Sequence, residues 1–379
     1  MTLWELFKYY LYVGSTAFGG PLAIINTIRV DLVEKRGWLE KEEFENIFGY
    51  SQIAPGPLAF QVSVYNGFFK FGIPGAFLCG LGIVLPSYLL VLAFSMVYER
   101  YSDISYLQNA LYGISPAIIA IILHSGIKLS RNVMKKDYFL HVIFFLSIAL
   151  TIFFKVPILY LIVSSAVVSL VYYSVQKKRT AGLKFIPLLI GSPLAFLTQK
   201  VDIFNSKLWD LAFVFLKTGS LTYGSGFVII GVLQQDVVNN YHWLTQTQFL
   251  AGISFGNITP GPVVITSTFI GYLTAGFLGS VISTVCIFLP TFILVVILAH
   301  GINKYKDNFY LKAFIKGANA AAIGAILSTA YNLAWAALID IPTIVIFIVS
   351  LGILFKAKFS TLYLILGAAL IGILVRITI

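Results

Sequence analysis

Long apolar stretches, separated by short polar ones, follow one another along the chain. In the first half they run over 3–28, 46–70, 73–98, 107–130, 138–154 and 157–175. In the second half they run over 208–234, 247–271, 275–302, 311–337, 341–355 and 359–377. Many approach the roughly 20 residues that a helix needs to cross a bilayer. The stretches 139–154 and 158–175 are continuously apolar and lack the alternation of a membrane β-barrel strand. The pattern predicts an all-α polytopic membrane protein. Between the halves lie Lys177, Lys178 and Arg179, then a shorter apolar piece, 185–197, interrupted by Pro187 and Pro193.

The two halves repeat. At a step of 205 residues Gly14 pairs with Gly219, Gly19 with Gly224, Trp38 with Trp243, and the triplet Pro55-Gly56-Pro57 with Pro260-Gly261-Pro262. After the loss of one residue the step is 204, and Gly67 pairs with Gly271, Gly72 with Gly276, Pro86 with Pro290 and Gly113 with Gly317. The step is far beyond the roughly 20–50 residues of a solenoid unit. Internal duplication of this kind is the usual construction of secondary transporters. The expected organisation is a first repeat over 1–180, a linker over 181–206 with room for one extra membrane segment, and a second repeat over 207–379.

Charge predicts that the copies lie upside down relative to each other. The loop after the first stretch carries Arg29, Lys35, Arg36 and Lys41, whereas its counterpart, 235–246, has no Lys or Arg. The loop after the third stretch has Arg100 alone, and its counterpart has Lys304, Lys306 and Lys312. Lys and Arg collect on the cytoplasmic side, so an alternating bias predicts inverted topology. Basic loops after both the first and the fourth stretches then require one stretch between them to turn back. The stretch holding Pro55-Gly56-Pro57 is the natural re-entrant hairpin, and the first stretch has a second break at Gly19-Gly20-Pro21.

The Pro-Gly-Pro triplets are the sharpest local signal. Proline removes a helical donor and clashes with the preceding turn, while glycine accepts dihedrals that other residues avoid. Irregular backbone at membrane depth survives where protein buries it or it lines a cavity. Each triplet ends one half-helix and starts another, and a half-helix N-terminus offers bare N–H groups and about half a positive charge to an anion. Gln52 and Asn257 stand at matching positions upstream, and Thr259 and Thr266 flank the second triplet. The bland alternative is a proline kink with polar residues stitching helices together. The glycine-rich pieces 14–21 and 219–226, which include Gly20, Gly219, Tyr223 and Gly224, read equally as close helix packing or as a second pair of breaks. Lys217 is a cation inside an apolar stretch and functional by default; its repeat mate is Tyr12. Lys217→Ala is expected to weaken anion binding while the fold stays intact. Lys316 reads as snorkelling, His124 as a packed neutral histidine, and Asp236 and Arg29 as solvated loop residues.

Composition narrows the remaining classes. Of 379 residues, 59% are hydrophobic and 11% charged, less than half the roughly 25% charge of a soluble domain. The net charge of +11 fits the positive-inside excess of a multi-pass inner-membrane protein. No basic run is interleaved with aromatics, so nucleic acid is not an expected partner. Cys79 and Cys286 both lie in apolar stretches and suggest neither a disulfide framework nor a metal site. The N-terminus has Glu5 early and lacks a basic region and a cleavage site, so no removed signal peptide is expected. No Walker motif, metal-spaced cluster or paired intramembrane carboxylate is present, so neither enzyme activity nor a cofactor is expected. Transport would run on gradients or exchange.

At these residues the sequence resembles the chromate ion transporter family in its long two-domain form. The matching pieces are AFGGP at 17–21, QIAPGP at 52–57, LTYGSGFVIIGVLQQDVV at 221–238 and GNITPGPVVITSTFIGY at 256–272. The resemblance implies two homologous domains of opposed topology and chromate efflux, with sulfate as a related or exchanged anion. By position it implies roles for Phe18, Gly19, Gly20, Pro21, Gln52, Pro55, Gly56, Pro57, Lys217, Gly219, Asn257, Thr259, Pro260, Gly261 and Pro262. The sequence departs from the family at Tyr12, where a basic residue is common, and at Ser225, where a third glycine is common. A channel-like anion pathway and a transport-inactive scaffold are the competing classes. A homodimer is compatible with either transport reading.

Overall fold

The structure is a computed structural model that describes all residues except 19, 53, 177–206, 223–225, 301–307, 357–359 and 379. The expected extra segment at 185–197 lies outside the described residues, as do Gly19, Tyr223, Gly224 and Ser225. The first half comprises α1 (Leu3–Thr16), α2 (Pro21–Arg29), which runs on as a π-helical turn (Val30–Lys35), α3 (Lys41–Ser51), α4 (Leu58–Tyr101), α5 (Ser105–Met134), α6 (Tyr138–Phe154) and α7 (Ile158–Gln176). The second half matches it element for element. It comprises α8 (Lys207–Ser220), α9 (Val228–Leu233) with its own π-helical turn (Gln234–Asn240), α10 (Gln246–Ile258), a 3₁₀ turn (Val263–Ile265), α11 (Thr266–Ala299), α12 (Phe309–Ala337), α13 (Ile341–Lys356) and α14 (Thr361–Thr378). No strand occurs among the described residues, and six helical stretches are long and apolar enough to cross a membrane.

Two of the predicted boundaries move. The stretch 3–28 is not one helix but α1 and α2, and the stretch 46–70 is α3 followed by the first arm of α4. Conversely, 46–70 and 73–98 are joined directly, because α4 turns back at Phe71 and Gly72 with no loop between its arms. Gly72 sits at φ 65°, ψ −152°, and its counterpart Gly276 in α11 sits at φ 63°, ψ −153°. That corner of backbone space is essentially open to glycine alone. The arms fold back so tightly that a β-carbon on Gly67 would collide with the carbonyl of Gly75, and one on Gly271 with that of Gly279. In α11 the arms are also stitched by hydrogen bonds, Ser283 Oγ to the Ser267 carbonyl and Thr268 to Thr284, each at 2.7 Å. The arm 58–70 is about 20 Å long at 1.5 Å per residue, short of a bilayer's roughly 30 Å core.

The halves are interleaved rather than side by side. Helix α5 packs on α13 and α14 of the second half, and α12 packs on α6 and α7 of the first. Glycines set the closest approaches: a β-carbon on Gly113 would strike the Ala368 carbonyl, and one on Gly317 the Ser165 carbonyl. Small residues let backbones approach this closely where lipid supplies no hydrophobic drive for helices to associate. Helices α4 and α11 meet at the centre, with the Phe60 and Phe288 rings 4.7 Å apart.

Candidate functional site

Each half builds two hairpins, and their tips meet in pairs across the halves. In the first hairpin α1 runs in to Ala17 and α2 runs back from Gly20. The return is marked by Trp38, whose ring lies 6.1 Å from that of Tyr9, and by the Arg36 guanidinium, 5.1 Å from the Tyr9 ring. In the second hairpin α3 runs in, residues 54–57 turn, and the first arm of α4 runs out. Glu43 near the start of α3 pairs with Lys70 at the end of that arm, 2.8 Å apart, and the Tyr50 and Tyr65 rings lie 6.1 Å apart between them. The second half repeats this. The Phe255 and Phe269 rings are 5.4 Å apart across α10 and α11, and a β-carbon on Gly256 would strike the Thr266 hydroxyl.

The tips are joined across the halves in reciprocal pairs. The Gly56 N–H donates to the carbonyl of Thr222, at the first-hairpin tip of the second half. The Gly261 N–H donates to the carbonyl of Ala17, at the first-hairpin tip of the first half, at 3.2 Å. Gly56 and Gly261 are equivalent, and so are Thr222 and Ala17. Both glycines have positive φ, 141° and 97°. Both also lie under a side chain of the opposite half: a β-carbon on Gly56 would collide with Thr291, and one on Gly261 with Ser87. Gln61, fully buried, braces the first triplet by donating Nε2 to the Ala54 and Gly56 carbonyls at 3.0 and 2.9 Å.

Four helical N-termini at these tips carry no side-chain cap: α2 behind Gly20, α4 behind Pro57, α9 behind Phe227 and the 3₁₀ turn behind Pro262. Thr2, Asp137, Thr245 and Asn308 cap four other helices, while α3 and α5 also begin without a side-chain cap. An uncapped first turn leaves N–H groups and the positive end of the helix dipole facing outward from the helix. Each cross-half meeting brings together tips from opposite halves without a full cation.

The expected site residues divide accordingly. Gly20, Pro55, Gly56, Pro57, Thr259, Pro260, Gly261 and Pro262 form the tips; Gln52 stands exposed beside the first and Asn257 half-buried beside the second. The Thr259 and Thr266 hydroxyls close their own turns, on Gly256 and Val263, and Asn257 Nδ2 donates to Ile253 at 2.8 Å. Gly219 serves packing, since a β-carbon there would strike the Ile287 carbonyl; Gly14 does the same against Ile83. Lys217 is not a free cation. It pairs with Asp236 at 2.5 Å, and the side chains are only 13% and 7% exposed. Asp236, expected in a solvated loop, is therefore buried, and Asn240 donates to its other oxygen at 3.0 Å. Arg29 pairs with Glu34 at 3.1 Å, and Lys316 lies over the Tyr173 ring at 4.9 Å. Sequence reasoning missed Ser87 and Thr291. The equivalence of Pro86 with Pro290 pointed to the right place, since Ser87 and Thr291 are the next residues.

A family model described as chromate transporter matches residues 4–170 and again 209–373. The chain belongs to the chromate transporter family. The two matches begin 205 residues apart, the step read from the triplets. A chromate transport protein of Cupriavidus metallidurans is 35% identical over 374 residues, covering 98% of this chain and 93% of that one. A probable chromate transport protein of Synechococcus elongatus is 36% identical over 358 residues, 92% and 89% of the two chains. An uncharacterised transporter of Methanocaldococcus jannaschii is 30% identical over 385 residues, 98% and 94% of the two chains. No solved structure matches the chain. As a chromate transporter family member with six apolar membrane-length helical stretches, the chain is a multi-pass membrane protein and a transporter rather than an enzyme.

Proposed function

We propose that this family member is a secondary transporter of inorganic oxyanions, with chromate as a carried anion and sulfate as a related or exchanged one. The observation that carries the reading is the reciprocal meeting of the uncapped tips, Gly56 on Thr222 and Gly261 on Ala17. A tetrahedral oxyanion needs donors from several directions, and bare amides from opposed hairpins supply them. The relatives' names supply the anion class. The alternating basic loops support inverted halves in an inner membrane, and inverted repeats with broken helices are the architecture of alternating access. Lys217, held by Asp236, contributes to the anion only if that pair opens, so the neutral donors carry the first contact.

Purified protein in liposomes provides the test. Labelled sulfate and chromate uptake is expected to saturate, to be accelerated by either anion on the far side, and to respond to imposed pH or voltage gradients. Uptake that never saturates and shows no acceleration from the far side would assign a channel instead.

A further inference from the structure

The two triplets are equivalent in sequence, but their grips are not. Ser87, on α4 of the first half, donates its hydroxyl to the Pro260 carbonyl at 2.5 Å. Its counterpart Thr291, on α11 of the second half, lies against Gly56 in the same way, and repeat symmetry directs its hydroxyl to the Pro55 carbonyl. That bond is not made: the Thr291 oxygen is fully buried and finds no hydrogen-bond partner among the described residues. A buried hydroxyl left unpaired costs free energy that a bonded one does not.

The surroundings follow the same split. At the tip gripped by Ser87, Pro260, Gly261 and Pro262 are buried and Asn257 is half-buried. At the ungripped tip Gly56 and Pro57 are buried as well, but Pro55 is half-buried and Gln52 exposed. Gln52 is the repeat mate of Asn257. One hydroxyl is engaged beside the half-buried Asn257, and its twin is idle beside the exposed Gln52.

We infer that Ser87 and Thr291 are positioning residues that grip the two Pro-Gly-Pro tips in turn, and that the structure holds the state in which only the Ser87 grip is closed. In the opposite state Thr291 donates to Pro55, Ser87 lets go of Pro260, and access passes from the first tip to the second. The inference rests on the alternating-access reading above and adds the groups that carry the exchange. Each hydroxyl comes from one half and holds the tip of the other, so closure of one tip is tied to the partner half.

The test is labelling by a water-soluble thiol reagent without any transported anion. It uses Gln52→Cys or Asn257→Cys as reporter, in a background carrying Cys79→Ser and Cys286→Ser. With Ser87 and Thr291 intact, the first reporter is expected to react faster than the second. Ser87→Ala removes the closed grip and is expected to lower the ratio of first to second by roughly fivefold, the factor set by one net hydrogen bond. Thr291→Val removes the grip of the opposite state only and is expected to raise the ratio by a similar factor. Thr291→Ser keeps a hydroxyl and is expected to leave the ratio unchanged, which separates lost bonding from lost packing. Ratios that move the same way in Ser87→Ala and Thr291→Val, or in neither, overturn the inference. The readout needs no substrate, so a failure of oxyanion flux in liposomes leaves it standing, and its own failure leaves the oxyanion reading standing.

Discussion

Asp31 and Asp236 occupy the same place in the two halves, and each is matched by one cation from a different direction. Asp31 takes Lys35, one turn along, at 2.9 Å, and that lysine is exposed. At the position of Lys35 the second half has Asn240, and the cation comes instead from Lys217 across the hairpin, where the first half has Tyr12. The exchange moves a surface pair into the interior, and it changes what a substitution does. Removing one partner of a buried pair strands the other charge, at a cost of about 3–5 kcal/mol. Lys217→Ala is therefore expected to lower the melting temperature of the purified protein clearly, contrary to the expectation of an intact fold. Lys217→Met combined with Asp236→Leu is expected to recover most of that loss. If sulfate binding stays weak in the recovered double variant, the ammonium serves the anion; if it returns, the pair is structural. The lysine and its apolar setting were legible in the sequence. Its partner was not, because Asp236 reads as a loop residue until the π-helical turn carries it inward.

The hairpins explain why the apolar stretches were easy to find and hard to divide. A re-entrant arm and a spanning helix are equally apolar, so hydropathy records depth and not direction. The glycine at each reversal is the local mark. Gly72→Ala and Gly276→Ala are expected to cost about 1–3 kcal/mol each through the backbone alone, since nothing lies within 4 Å of where either β-carbon would stand. Thermal unfolding in detergent would show this, and Gly352→Ala, helical and equally uncrowded, is expected to change little. Gly56→Ala combines two penalties, positive φ and a collision with Thr291. It is expected to abolish anion flux even at matched membrane expression, and shrinking the obstacle with Thr291→Ser is expected to restore little, because the backbone strain remains.

The whole molecule is closed by the exchange of its outer helices, and two polar triads fasten that exchange. Asp137, before α6, accepts from the Tyr173 hydroxyl of α7, over whose ring Lys316 of α12 lies. Asp340, before α13, accepts from the Tyr112 hydroxyl of α5 at 2.6 Å, and Arg376 of α14 lies 4.5 Å from that ring. Tyrosine and cation have traded helices between the triads while the acid has stayed. Burial pushes the Asp340 carboxyl up, but hydrogen bonds from Tyr112 and Thr343 outweigh it and hold the group below its usual 3.8. A lowered acid stabilises the fold above its unfolded-state value, and that contribution is lost as pH falls through the folded one. The melting temperature is therefore expected to drop on acidification below about pH 4. Asp340→Asn should lower it at neutral pH and flatten that acid limb; an unchanged limb would remove Asp340 from the fastening.

Length of apolar stretches, the duplication, the broken-helix triplets and the family all follow from order along the chain, because hydropathy, proline and glycine act on their own neighbours. Which half each outer helix joins, which cation answers which acid, and which hydroxyl faces which carbonyl do not. Gly56 meets Thr222 and Ser87 meets Pro260 only after the hairpins fold back and the halves interlock. Two repeats of the same pattern could pack within themselves or across each other with the same local signals. The crossed arrangement prevails through contacts that exist only once both halves are present.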